Sequence, residues 1–327
     1  MDNRRNYGSF AVQSAIQKRK VASRLLTFLS ILCIMALSFL GMKGKHYLLI
    51  SVLLLAATIL PMFLVFEYKK LRAREIVLLA TWISFSVLSN EICAHTLPLH
   101  IGTMMVVIAG VAMGPEAGFF IGASSRLICN FFDGQGPWTP WQMVAWGLLG
   151  FCAGLAFNKV SLKKKWEQAS LAEKLSLKKS NVITFVVGPV ICVIVAWLLG
   201  YIYYLLFGNG ENFFGWYLYV FGIAGLVVGF LLQRKKLSAD TWTLTLFTFL
   251  MVFLLYGGIM NFATLLLQHI ADPKGNAITM DALKLLYITG VPYDLAHAGA
   301  AAFCMFVMGE AMLSKVTRIQ TKFGIWF

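Results

Sequence analysis

Side chains able to bind a ligand or move a proton are few in this chain, and they are unevenly placed. All five histidines, His46, His95, His100, His269 and His297, fall in the loops at one side of a series of apolar runs or near the ends of those runs. Asn90, Glu91, Asn130, Asp133, Gln142, Asn261 and Asp294 keep them company, while the other side carries mainly Lys and Arg. Amides, imidazoles and carboxylates gathered at one edge beside Trp138 and Trp141 suit capture of a polar solute by hydrogen bonds and aromatic contact, not a charge relay through a bilayer. Asp294 and His297 lie three apart on one helix face, where they could bond each other, contact a ligand or act as an acid/base pair. Arg126 sits inside an apolar run, placed to snorkel or to pair within a bundle, and Glu116 and Glu310 lie at the basic side.

Motifs of other chemistries are missing. The chain has no GxxxxGK[ST] phosphate loop, no HExxH and no DDxxD pair, so neither ATP hydrolysis at such a loop nor those metal-dependent reactions are expected of it. Cys33, Cys93, Cys129, Cys152, Cys192 and Cys304 stand singly, with no CxxC, and read as small apolar packing residues. No metal and no cofactor are expected.

The elements that position these groups follow from composition. Of 327 residues 59% are hydrophobic and 13% charged, with a mean hydropathy of +0.76, which excludes a water-soluble globule, a disordered chain and a disulfide scaffold. The fold class expected is an all-α polytopic membrane bundle. About ten spans are legible, at 21–42, 47–67, 76–90, 101–114, 115–132, 141–158, 182–207, 215–233, 241–268 and 292–313. With the N-terminus inside, every Lys and Arg except Lys43, Lys45, Lys274, Lys284 and Arg126 falls on the cytoplasmic side. Both termini are then cytoplasmic, and 91–100, 133–140, 208–214 and 269–291 are external. The net charge of +14 lies in short juxtamembrane blocks that set orientation and touch anionic lipid, not in a surface for nucleic acid.

Segmentation follows the polar stretches: a two-helix extension at 1–74, a first core part at 75–160, a basic cytoplasmic linker at 161–180, a hairpin at 181–236, and a last pair of helices with a tail at 237–327. The hairpin reads as a weak repeat of the one before the linker. Gly114-Pro115, Gly134 and Gly136 recur at Gly188-Pro189, Gly208 and Gly210, and Trp141, Gly147, Gly150 and Gly154 recur at Trp216, Gly222, Gly225 and Gly229. The glycine spacing puts small residues on one helix face and permits close helix contact.

Arg74 to Asn158 resembles the membrane-embedded substrate-binding subunits (S components) of energy-coupling factor (ECF) vitamin importers. The resemblance is carried by REIVLLA at 74–80, by IAGVAMGPEAGFFIGASSRLICNFF at 108–132 and above all by GQGPWTPWQMVAWGLLGFCAGL at 134–155, and resumes at YGGIMN (256–261), GVPYDLAHAGAAAF (290–303) and RIQTKFG (318–324). It implies a six-helix core, formed by the third to sixth, ninth and tenth spans, or alternatively by the third to eighth. It implies capture of a vitamin-like solute from outside, cobalamin being the first expectation on overall resemblance, and delivery inward with a transmembrane T component and two ATPase subunits. The chain departs from the pattern at SNEICAHTLPLH, 89–100, where an arginine and a proline-flanked lysine are more usual. Ala80 and Ser84, one turn apart, are the small pair with which such subunits dock. Asn90, His95, Asn130, Asp133, Trp138, Trp141, Gln142, Asn261, Asp294 and His297 are the expected solute contacts, and Trp138, Trp141 and Gln142 are expected to line one cavity. The rival readings are a self-contained secondary transporter, which the duplicated hairpin would suit, and an intramembrane enzyme built on Asp294 and His297.

Overall fold

The computed structural model describes residues 53, 71–96, 99–157, 191–206, 221–222, 224–225, 228–229, 237, 239–272 and 279–325, and the side chains of all of these except 94, 95, 270 and 280. The expected spans at 21–42 and 47–67, Leu53 apart, most of the span at 215–233 and the linker at 161–180 lie outside the described residues. Seven helices make up the described chain: α1, Ala73–Thr96; α2, Ile101–Met113; α3, Pro115–Asp133; α4, Thr139–Ala156; α5, Ile191–Leu206; α6, running from Thr241 to Ala271; and α7, running from Met280 to Phe323. No strand occurs among the described residues. Ala73–Cys93, Thr241–His269 and Asp281–Phe323 are long and apolar enough to cross a membrane, and Ile101–Met113 and Ile191–Leu206 are apolar but shorter.

The break between the fourth and fifth spans falls where the sequence puts it. Gly114 has φ 101°, a conformation costly for any residue with a Cβ, and Pro115 opens the next helix, where its missing N–H is no loss. The last span departs from expectation: α7 starts at Met280 and runs through Pro292, so much of what reads as an external loop at 269–291 is helical. The Thr279 side chain caps that start by accepting from the Ala282 amide. Leu283 is buried, and the Tyr287 hydroxyl donates to the Gly258 carbonyl at 2.8 Å, which ties this first part of α7 to α6.

Helix α2 is apolar all round and buried from Gly102 to Met113, the mark of a central helix. On one side the Trp82 indole donates to the Met105 carbonyl at 2.9 Å and Ser86 to the Gly102 carbonyl at 3.3 Å, so α1 lies antiparallel to α2. Helices α3 and α4 meet along a seam of glycines, pairing Gly118 with Gly150, Gly122 with Trp146 and Pro115 with Gly154. A Cβ added at Gly118, Gly122, Gly150 or Gly154 would strike the backbone of the opposite helix. Helices α6 and α7 close the other side of the bundle on α2 and α4.

The bundle has two ends. At the His100 end lie the close of α1, the start of α2, the α3–α4 loop, the end of α6 and the start of α7. At the Gly114 end, Leu237 donates its amide to the Ala156 carbonyl at 2.8 Å, and the Phe157 ring meets Phe247 edge-on beside the start of α6.

Two π-helical segments interrupt the last helices, Met251–Tyr256 in α6 and Met305–Gly309 in α7. A straight α7 would carry His297 and Gln320 about 34 Å apart, whereas their partners on α2, Thr103 and Ala112, are about 14 Å apart along that helix. Side-chain reach does not close that gap, so α7 bends, and the π segment between the two contacts is the place that a regular helix would not supply. Beyond it, Glu310–Phe323 keeps to the Gly114 end: Glu310 accepts from Thr241 at the start of α6, Gln320 donates to the Ala112 carbonyl at 3.2 Å, and Arg74 at the start of α1 donates to the Phe323 carbonyl at 3.1 Å. This last segment therefore runs across the end of the bundle.

Candidate functional site

The polar groups at the His100 end are organised from the α3–α4 loop. Gly134, φ 101°, turns the chain out of α3. Gly136 donates its amide to Thr139 Oγ1 at 3.1 Å, the Thr139 hydroxyl donates to Gln135 Oε1 at 2.9 Å, and Pro140 occupies the first turn of α4. That turn aims Gln142 back at α3, where its Oε1 accepts from Asn130 Nδ2 at 2.9 Å and from Arg126 Nε at 3.1 Å. Asn130 Nδ2 also donates to Thr139 Oγ1, and Arg126 Nη2 forms an ion pair with Asp133 Oδ2, both at 3.1 Å. The guanidinium carbon stands 5.6 Å from the centre of the Trp146 ring, within range of a cation–π contact. Asn130 Oδ1 and Ser125 Oγ, both buried, have no hydrogen-bond partner among the described residues, so the cluster holds acceptor and donor capacity unused there.

A second group comes from α2, α6 and α7. Asn261 Nδ2 donates to Asp294 Oδ2 at 2.7 Å, and His297 Nε2 is 3.2 Å from the Thr103 hydroxyl. Asp294 and His297 thus share a face but engage different partners. The His297 ring is flanked by His100 at 3.9 Å and by the edge of Tyr256 at 4.7 Å between centroids, and its Nδ1 is buried without a partner among the described residues. Burial holds His100 below the ordinary histidine value. Gly257 and Gly290 make room for this group, since a Cβ on either would press on Asp294 or Asn261.

Trp146 joins the two groups. Buried beneath Arg126, it reaches α2 at Gly102, beside the Thr103 that meets His297, and Tyr256 approaches it from α6. Arg126 lies within electrostatic reach of both Tyr256 and His297.

Of the residues expected from sequence, the structure gathers Asn130, Asp133 and Gln142 in the first group and Asn261, Asp294 and His297 in the second. Asn90 is buried where α1 meets α3, with Nδ2 3.6 Å from Cys129 Sγ and 3.3 Å from Glu91 Oε1. Trp141 is directed elsewhere, packed with Val144, Ala263 and Leu266 and edge-on to Phe262 of α6. Trp138 is exposed on the loop, folded over Gly136. The side chain of His95 lies outside the described residues. Ala80 and Ser84 are both exposed on α1, Ser84 donating to the Ala80 carbonyl. Trp146, Tyr256, Thr103 and His100 were not among the expected contacts. Trp146 carried a signal, because it stands four residues after Gln142 and so on the same face of α4, which Trp141 does not.

Compared with known families, residues 70–213 match the family of ECF-type riboflavin transporter S components. Over that segment the chain is similar to the ECF S components. No curated protein and no solved structure shows significant similarity to the chain. The family match takes in the whole first polar group, Trp146 and Thr103, and it continues past the blocks recognised in the sequence, through α5. The S-component match stops before α6 and α7, which contribute Tyr256, Asn261, Asp294 and His297. Helical membrane architecture is common to the family and to the apolar helices described above.

Proposed function

We propose that this chain is the solute-capturing subunit of an ECF importer, taking up riboflavin or a closely related flat heterocycle from the external side. The observation that carries the reading is the convergence of Arg126, Asn130, Gln142, Tyr256 and His297 about Trp146, with Asp294 held beside them by Asn261, at one end of a bundle whose residues 70–213 match riboflavin S components. A flavin ring offers a wide apolar face and an edge of alternating carbonyl and N–H groups. Aromatic rings answer the face, and amides together with a guanidinium answer the edge. The corrinoid expected from overall resemblance has no such support, because the matched family is named for riboflavin.

In this reading the His100 end faces outward and the Gly114 end faces the cytoplasm. The six-helix core is α1 to α4 with α6 and α7, and the two-helix extension, the linker, the hairpin and both cytoplasmic termini stand as the sequence places them, for about ten spans. Asn90, His95, Asn130, Asp133, Trp138, Gln142, Asn261, Asp294 and His297 remain the proposed contacts, joined by Arg126, Trp146 and Tyr256, whereas Trp141, packed on Phe262, is not among them. Docking on the T component uses the exposed Ala80 and Ser84 face. The chain is proposed to perform no catalysis of its own, and the energy comes from two separate ATPase subunits.

The test is uptake of labelled riboflavin and, in parallel, of labelled cobalamin in a host lacking its own transporters. Riboflavin should accumulate only when chain, T component and ATPases are co-expressed. Uptake that persists without the ATPases and collapses with the proton gradient would make the chain a secondary transporter, and cobalamin uptake alone would restore the corrinoid.

A further inference from the structure

The last segment of α7, Glu310–Phe323, is amphipathic, and its contacts at Thr241, Ala112 and Arg74 hold it across the end of the bundle. Its inward face carries Val316 and Gln320, both buried. Lys315, Arg318 and Lys322 are spaced three and seven residues apart, which places them in one stripe, and all three are exposed. No carboxylate pairs with them among the described residues. Beside the stripe Ile319 is 41% and Phe323 47% exposed.

We infer that this stripe is a docking surface for the anionic phospholipid headgroups of the cytoplasmic leaflet, which hold the segment at the membrane interface. The orientation used rests on the reading above, in which the Gly114 end is cytoplasmic. A helix lying at that level, with apolar side chains next to a row of cations, meets the two layers of a leaflet at once: the apolar groups enter the acyl boundary and the cations meet phosphate. Charge complementarity favours lipid over another part of this chain. The cytoplasmic stretches 1–24 and 159–180 are themselves rich in Lys and Arg and would be repelled by the stripe.

The experiment uses the full chain purified in a neutral detergent and titrated with phosphatidylglycerol or phosphatidylcholine, with bound lipid counted by native mass spectrometry. Phosphatidylglycerol should bind more tightly than phosphatidylcholine. The triple variant K315Q/R318Q/K322Q should lose about tenfold or more of that affinity, whereas K315R/R318K/K322R and the K284Q control at the opposite end of α7 should retain it. Riboflavin binding measured on the same samples reports folding, and it also separates this inference from the functional reading, since lipid affinity in detergent does not depend on what the chain transports. Equal affinity of wild type and triple Gln variant, equal affinity for both lipids, or the same loss in K284Q would overturn the proposal. So would a triple variant that keeps its lipid affinity but no longer assembles with T component and ATPases, which would assign the stripe to a protein partner.

Discussion

Gln142→Ala is the most informative single change, because one atom, Gln142 Oε1, accepts hydrogen bonds from both Asn130 and Arg126. Truncation removes one neutral and one charge-assisted bond. Asn130 keeps Thr139 and Arg126 keeps Asp133, so the two donors are loosened without being stripped. A neutral bond contributes about 1 kcal/mol net and a bond to a charged group about 1.5 to 3 kcal/mol. Roughly half of that total, about 1.4 kcal/mol, is enough to cost tenfold in affinity once Asn130 and Arg126 no longer present themselves to the solute in a fixed geometry. The expected outcome is riboflavin binding weakened about tenfold or more, read by quenching of intrinsic fluorescence at equilibrium in detergent. Gln142→Glu, which keeps both acceptor contacts, should lose less. If Gln142→Ala binds within twofold of wild type, the amide cluster is a structural brace between α3 and α4 and the solute is held elsewhere.

Two other outcomes follow from the same coordinates. Gly150→Val places bulk against the Gly118 backbone, so it should cost about 1 to 3 kcal/mol or prevent assembly of the bundle, visible as a lowered thermal midpoint in detergent or as loss of folded protein, whereas the same change at Gly299, which has open space around its Cβ position, should not. In a chain freed of its native cysteines, single cysteines introduced at Ser161 and Ser238 should both resist an impermeant reagent added from outside, and labelling of one but not the other would defeat the ten-span topology.

The helical class, the break at Gly114-Pro115 and the grouping of Asn130, Asp133 and Gln142 are legible from residue types alone, since a continuous apolar run, a Gly-Pro pair and a Gly-rich turn each have a local physical meaning. What the sequence conceals is phase. Trp141 and Gln142 are neighbours in the chain, yet about 100° of helical rotation sends one toward Phe262 and the other toward Arg126. Tyr256 is harder still to foresee, because it closes a π segment, and an inserted residue changes which side chain faces inward by an amount that no 3.6-residue pattern anticipates. The start of α7 was hidden by Gly290 and Pro292, ordinary signals of a loop, which contacts between α6 and α7 override.

The glycine seam has a mechanical consequence. Where backbone meets backbone there are no side chains to change rotamer, so along this seam α3 and α4 are expected to move as one lever. Arg126, Asn130, Asp133 and Gln142 all ride on that lever and keep their spacing whatever the rest of the bundle does. In the proposed reading, access to Trp146 is then opened from the opposite wall, where α6 and α7 each contain a π segment and α6 touches α4 through side chains such as Phe262. Under the proposed function, capture of the solute is a division of labour: a stiff half that defines what fits, and a compliant half that decides when it enters.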